Sequence, residues 1–132
     1  MSNIKSGNTF EREFCEALFA DGWWVYNCPK TVAGAQPADV IAVKNGKAYL
    51  IDCKNCEKEY FSKTRIEENQ ILAMKLFEQR ARCEGIFAIK LNSNIYMVAL
   101  DNLLKSPRTH LKEANISKLG CTLEQWKSLS GM

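Results

Sequence analysis

Three residues have the types and spacing to hydrolyse a phosphodiester: Asp39, Asp52 and Lys54. Ala38–Lys44 (ADVIAVK) and Lys47–Lys54 (KAYLIDCK) are β-prone runs joined by Asn45-Gly46, the dipeptide that favours a two-residue type I′ turn. Such a turn sets the register, pairing Lys44 with Lys47, Val43 with Ala48, Ile41 with Leu50, and Asp39 with Asp52. Side chains alternate along a strand, so Asp39, Asp52 and Lys54 share one face and Cys53 points to the other. Like charges facing each other across a ladder repel, and a lysine beside them suggests that a cation lies between the two acids. A hard divalent ion lowers the pKa of bound water and neutralises phosphate oxygens. Magnesium binds through one or two carboxylates plus water and phosphate oxygen. Asp39 and Asp52 would supply the carboxylates, the Cys53 backbone carbonyl a further ligand, and Lys54 would hold the attacking water or neutralise phosphate. The bland alternative is a structural ion pair where two apolar strands end. Glu11 is ambiguous too: it is either a third acid or, at capping-box spacing from Asn8, the closer of a helix end.

The elements that would position these residues follow from periodicity. Asn8–Asp21 predicts a helix, with Phe10, Phe14, Ala17 and Leu18 at helical spacing and Gly22 as terminator. Trp23–Tyr26 is a short strand, Asn27–Gln36 a loop, and the hairpin follows. Ser62–Ala81 predicts a second helix capped by Ser62, with Ile66, Ala73 and Phe77 on one face. Gly85–Leu91 and Ile95–Leu100 are strands around an Asn92-Ser93-Asn94 turn. Thr122–Leu129 is a terminal helix whose Thr122 and Gln125 have capping-box spacing. Lys105–Cys121 stays open. The order is αβββαββ, one domain over residues 1–132 with a core of about 5–104 and an appendage at 105–132.

The chain has 132 residues, 46% hydrophobic and 25% charged, which supports a packed core and argues against disorder. No apolar run approaches a membrane span and the N-terminus lacks the apolar core of a signal peptide, which predicts a soluble cytoplasmic protein. The net charge of +3 points weakly to polyanions. Its distribution says more: Arg12 and Lys30 precede the hairpin, and Lys58, Lys63 and Arg65 follow it. Six cysteines in a reducing compartment read as free thiols. Cys53-Lys54-Asn55-Cys56 is a CxxC, but it leaves a strand without the helix N-terminus that activates redox thiols. No second CxxC completes a zinc site, and His110, the single histidine, is remote in sequence.

These residues resemble the PD-(D/E)xK nuclease superfamily: Pro37-Ala38-Asp39 stands for its first motif, as PxD, and Asp52-Cys53-Lys54 gives DxK. The run Gly7–Glu13 (GNTFERE) is similar to the opening helix of Holliday-junction resolvases. Phe61, Ile66–Gln70, Gly85 and the strands leading to Asp101-Asn102-Leu103 follow RecU-type enzymes in order, over roughly Lys5–Leu104. The stalk insertion of that type is missing, as it is in archaeal-type resolvases. The resemblance implies a restriction-endonuclease-like αβββαβ core, a mixed central sheet flanked by helices. It also implies an active site of Glu11, Asp39, Asp52 and Lys54, with Gln70 as accessory. Gln70 has a second reading, since it shares the buried helix face with Ile66 and Ala73.

The resulting expectation is a Mg²⁺-dependent DNA endonuclease, with Mn²⁺ able to substitute, resolvase-like and of a phage or mobile element. A divalent ion would be held by Asp39, Asp52, Glu11 and the Cys53 carbonyl. Arg12, Lys30, Lys58, Lys63 and Arg65 would contact DNA phosphates, which position DNA without reading sequence. Two cuts in a symmetric junction favour a homodimer. The alternatives are a less selective restriction- or repair-type nuclease or nickase, a non-catalytic DNA-binding protein on the same fold, and, more distantly, a thiol-redox protein using Cys53 and Cys56.

Overall fold

The structure, a computed structural model, describes residues 3–30, 38–81 and 83–130. Helix α1 (Asn3–Ala20) buries Phe10, Phe14 and Leu18, one residue per turn along a single stripe. It ends where Gly22 takes φ +89°, with Gly22 N–H donating to Phe19 O at 3.1 Å and Trp23 N–H to Leu18 O at 3.1 Å. This pair of bonds satisfies the last carbonyls of the helix.

Strands β1 (Trp24–Asn27), β2 (Val40–Lys44) and β3 (Lys47–Asn55) form an antiparallel meander. The β2–β3 turn is two residues long, with Asn45 at φ 54° and Gly46 at φ 78°, and the ladder pairs Lys44 with Lys47 and Ile41 with Leu50 as expected. It stops at Val40–Ile51. Asp39 therefore does not face Asp52 within the ladder; it lies in a bend beyond it, where Asp39 N–H donates to Ile51 O and Cys28 N–H donates to Asp39 O. The expected loop at Asn27–Gln36 falls largely on residues 31–37, outside the described residues.

The second helix departs from the expected span. Tyr60–Ser62 forms strand β4, paired with β7 (His110–Lys112), and Lys63–Arg65 is a 3₁₀ turn, so α2 runs only from Glu68 to Ala81. The reason is non-local: Phe61 and Leu111, partners in that ladder, are both fully buried. The Ser62 side chain pairs with the Thr64 hydroxyl and does not cap α2. Helix α2 carries the chain across so that β5 (Gly85–Leu91) pairs parallel with β3. A second two-residue turn, Asn92-Ser93, returns it antiparallel as β6 (Asn94–Ala99).

From Leu100 onward the chain forms α3 (Leu100–Lys105), β7, α4 (Glu113–Leu119), β8 (Cys121–Thr122) and α5 (Leu123–Ser130). Far from hanging off the core, they complete it. Strand β8 closes one edge of the six-stranded sheet, ordered β1-β2-β3-β5-β6-β8, and Trp126 stacks on Trp23 at 4.8 Å between ring centres. Thr122 and Gln125 exchange both bonds of the expected capping box. One face of the sheet packs on α1 and α5 through Phe10, Phe14, Ile51 and Trp126. The other packs on α2, α3 and α4 through Phe87, Met74, Leu103 and Ile116. The result is a mixed central sheet flanked by helices, with β3 near its middle. Among the described residues no helix is long and apolar enough to cross a membrane.

Candidate active site

Four elements converge where β3 leaves the hairpin. Odd-numbered β2 positions and even-numbered β3 positions face α2, so Asp52 and Lys54 lie on the same face as Leu50, Phe87 and Ile89. Both are buried, Asp52 to 2% exposure. Asp39, freed from the ladder by its bend, turns one oxygen to each side of this corner. Its Oδ2 accepts from the Cys53 backbone N–H at 2.8 Å, and its Oδ1 accepts from Lys30 Nζ at 2.6 Å. Lys30 Nζ also donates to Glu11 Oε1 at 2.9 Å. Glu11 thus reaches the cluster from α1 on the opposite layer. Since α1 begins at Asn3, Asn8 is internal to the helix and the capping-box reading of Glu11 falls away.

Asp52 is held from two directions. Gln70, buried in the first turn of α2, donates from Nε2 to Asp52 Oδ1 at 2.9 Å while its Oε1 accepts from Glu67 N–H at 3.1 Å. One side chain therefore both closes the helix start and fixes the carboxylate, joining the two expected readings of Gln70. Lys54 Nζ forms an ion pair with Asp52 Oδ2 at 3.0 Å, and that buried oxygen has no further hydrogen-bond partner.

The electrostatics follow from this crowding. Burial, and then the nearby Asp39 carboxylate, raise Asp52 to about 7 against the opposing charge of Lys54. Burial also raises Glu11, in opposition to the Lys30 hydrogen bond and in concert with Asp39. Burial works against the Lys30 charge, but its bonds to Asp39 and Glu11 outweigh this and hold its pKa above the usual lysine value. Among the described residues no three His, Cys, Asp or Glu side chains stand so placed that they could hold a metal ion together. A magnesium-type site needs only one or two carboxylates, and a buried carboxylate oxygen that accepts no hydrogen bond, crowded by a second acid, is the kind of group a hard cation satisfies.

The basic residues expected on DNA take different positions. Lys58 lies over the Tyr60 ring, and Arg65 donates to Asn55 O from an exposed position. Both line a cleft of about 450 Å³, with Asn55, Tyr60 and Thr64, that opens beside the acid cluster and not over it. Lys63 Nζ is spent on Ser106 O at 2.6 Å, and Arg12 lies within reach of Glu16 on the exposed side of α1. Lys30, by contrast, belongs to the acid cluster itself. The described cysteines are free, and burial raises the Cys53 thiol well above its usual value and Cys56 in the same direction, the reverse of an activated redox pair.

An acid-acid-lysine cluster at the end of a sheet strand, with a third acid from the opening helix, defines a nuclease of the PD-(D/E)xK, restriction-endonuclease-like class. The family described as archaeal Holliday junction resolvase (Hjc) matches residues 2–127, and the chain belongs to that family. Among solved structures, the Holliday junction resolvase Hjc of the archaeal hyperthermophile Archaeoglobus fulgidus shares the fold, with a TM-score of 0.71 at 16% identity. The match covers 90% of this chain and 98% of that one. No curated protein matches the chain.

Proposed function

We propose that this protein is a Mg²⁺-dependent endodeoxyribonuclease that cuts branched DNA, working as a homodimer on four-way junctions. Family membership supports the nuclease and its junction substrate. The observation that carries the metal dependence is the buried Asp52 Oδ2, which lacks a hydrogen-bond donor beside Asp39 and Lys54.

Asp52 and Asp39 would hold the ion, with Glu11 and the Cys53 carbonyl as further oxygen ligands. When bound, the ion supplies an acidified water and a positive charge at the scissile phosphate. Gln70 holds the Asp52 carboxylate through Oδ1, while Oδ2 accepts no hydrogen bond and pairs with the Lys54 ammonium at 3.0 Å. Lys54, buried and anchored on β3, orients the attacking water and offsets charge that develops on the phosphate. Lys58 and Arg65, along the adjacent cleft, contact the DNA backbone, a set of interactions that weakens steeply with salt.

The test is cleavage of labelled four-way, flapped and linear duplex DNA in Mg²⁺, Mn²⁺ or EDTA. Cutting of the four-way junction that depends on metal and is abolished in Asp52→Ala and Lys54→Ala supports the proposal. Equal cutting of linear duplex would make it a less selective nuclease. Salt-sensitive binding with no cleavage in any divalent ion would make it a DNA-binding protein on a nuclease fold.

A further inference from the structure

The geometry points to a role for Lys30 that rests on the metal reading and extends it. Its ammonium is a built-in counter-cation on the Glu11–Asp39 side of the cluster, which an incoming divalent ion must displace, and the displaced lysine becomes available to a DNA phosphate. Three observations carry this. Lys30 Nζ lies 2.6 Å from Asp39 Oδ1 and 2.9 Å from Glu11 Oε1, so it bridges two acids from separate elements. Both Asp39 oxygens are engaged, Oδ2 by the Cys53 backbone N–H and Oδ1 by Lys30. An ion taking Asp39 must therefore displace one donor or crowd against it.

The two donors are unequal. The Cys53 amide is part of β3, fixed between β2 and β5. Lys30 is the movable partner, on a flexible four-carbon stem whose side chain is 43% exposed. An ammonium and a divalent ion sharing the same carboxylate oxygens repel each other strongly in a half-buried site. Asp52 is arranged differently: its buried Oδ2 accepts no hydrogen bond, and its counter-cation, Lys54 at 3.0 Å, is itself buried on β3. The cluster thus carries a lysine on each side, a buried one fixed on β3 beside Asp52 and a half-exposed, movable one across Asp39 and Glu11. Ion entry exchanges one cation for another, and it liberates a positive charge at the place where the phosphodiester would lie.

The test titrates Mn²⁺ alone, by calorimetry and by the loss of the free-ion electron paramagnetic resonance signal. The full-length wild type, Lys30→Met, Lys30→Gln, Lys30→Arg and Lys47→Met are compared without DNA. Loss of two charge-assisted bonds that compete with the ion should tighten Mn²⁺ binding by about ten-fold or more in Lys30→Met and Lys30→Gln. Lys30→Arg should stay near the wild type, and Lys47→Met, which removes an equal charge at the distant hairpin turn, should change nothing. In Ca²⁺, the DNA affinity of Lys30→Met should fall, whereas in EDTA it should match the wild type. Mn²⁺ binding by the wild type that is no weaker than by Lys30→Met and Lys30→Gln overturns the inference and leaves the metal reading standing. No Mn²⁺ binding by any of the proteins overturns both. A thermal scan adds a readout independent of binding. In EDTA, Lys30→Met should melt below the wild type because Glu11 and Asp39 then lose the ammonium they share, and saturating Mn²⁺ should raise its melting point by more than it raises the wild type's.

Discussion

Replacing Asp52 with asparagine should have an effect on stability that changes steadily between about pH 4 and pH 8. The carboxyl is raised from 3.8 to about 7, foremost by burial and then by Asp39. The folded state therefore keeps a proton that the unfolded chain releases near pH 4, and stability falls as pH rises through this window. Above about pH 7 the wild type carries the full cost of the buried charge. A rise from 3.8 to about 7, at about 1.36 kcal/mol per pKa unit, makes that cost roughly 4 kcal/mol. The amide introduced by Asp52→Asn retains an acceptor for Gln70 but does not titrate. The variant's stability relative to the wild type should therefore rise by this amount between about pH 4 and pH 8, a gap in melting temperature on the order of ten degrees. Thermal unfolding of both proteins in EDTA at several pH values measures it, and groups common to both cancel. A constant difference across the range would show that Asp52 ionises like a solvated carboxylate and would refute the electrostatic account of the site.

Other expectations follow from the same contacts. Gln70→Ala removes the donor to Asp52 and the acceptor for Glu67 N–H, and should cost about 1–3 kcal/mol in denaturant melts while raising the Asp52 pKa further. Lys54→Met should slow single-turnover cleavage on the order of 10²- to 10⁴-fold, with junction affinity in Ca²⁺ unchanged. Magnesium should raise the wild-type melting point more at about pH 8 than at pH 5, because the ion replaces the proton on Asp52; equal shifts would place the ion elsewhere. Trp126→Ala should destabilise the protein by about 3–5 kcal/mol, since the ring is 6% exposed and stacked on Trp23; a loss under about 1 kcal/mol would mean the last helix contributes little to the core.

What the chain announces in advance is what its local chemistry decides. Asn45-Gly46 selects a two-residue turn, and the turn selects the register, so the identity of the acids is legible from a dozen residues. The departure of Asp39 from that register is not legible, because it is set by the backbone of Cys28 and Cys53, distant along the chain. The late start of α2 is hidden for the same reason. Tyr60–Ser62 has helical-looking neighbours, but its ladder partner lies some fifty residues on, at His110–Lys112. Gln70 offers a helix-face signal that says where it points but not that Asp52 waits there. Lys30 gave the weakest signal: as one lysine among many it reads as a DNA contact. The Asn27–Val40 end of the β1–β2 ladder and the Cys28–Asp39 backbone bond just beyond it bring Lys30 onto the acids.

The Asn45-Gly46 turn also has a practical use. Its Gly46 lies six residues from Asp52 along the chain, roughly 20 Å when extended at about 3.3 Å per residue, at the opposite end of β3 from the acids. A fluorophore or short affinity tag grafted there would report on a bound substrate without obstructing it, which makes this tip the natural handle for single-molecule work.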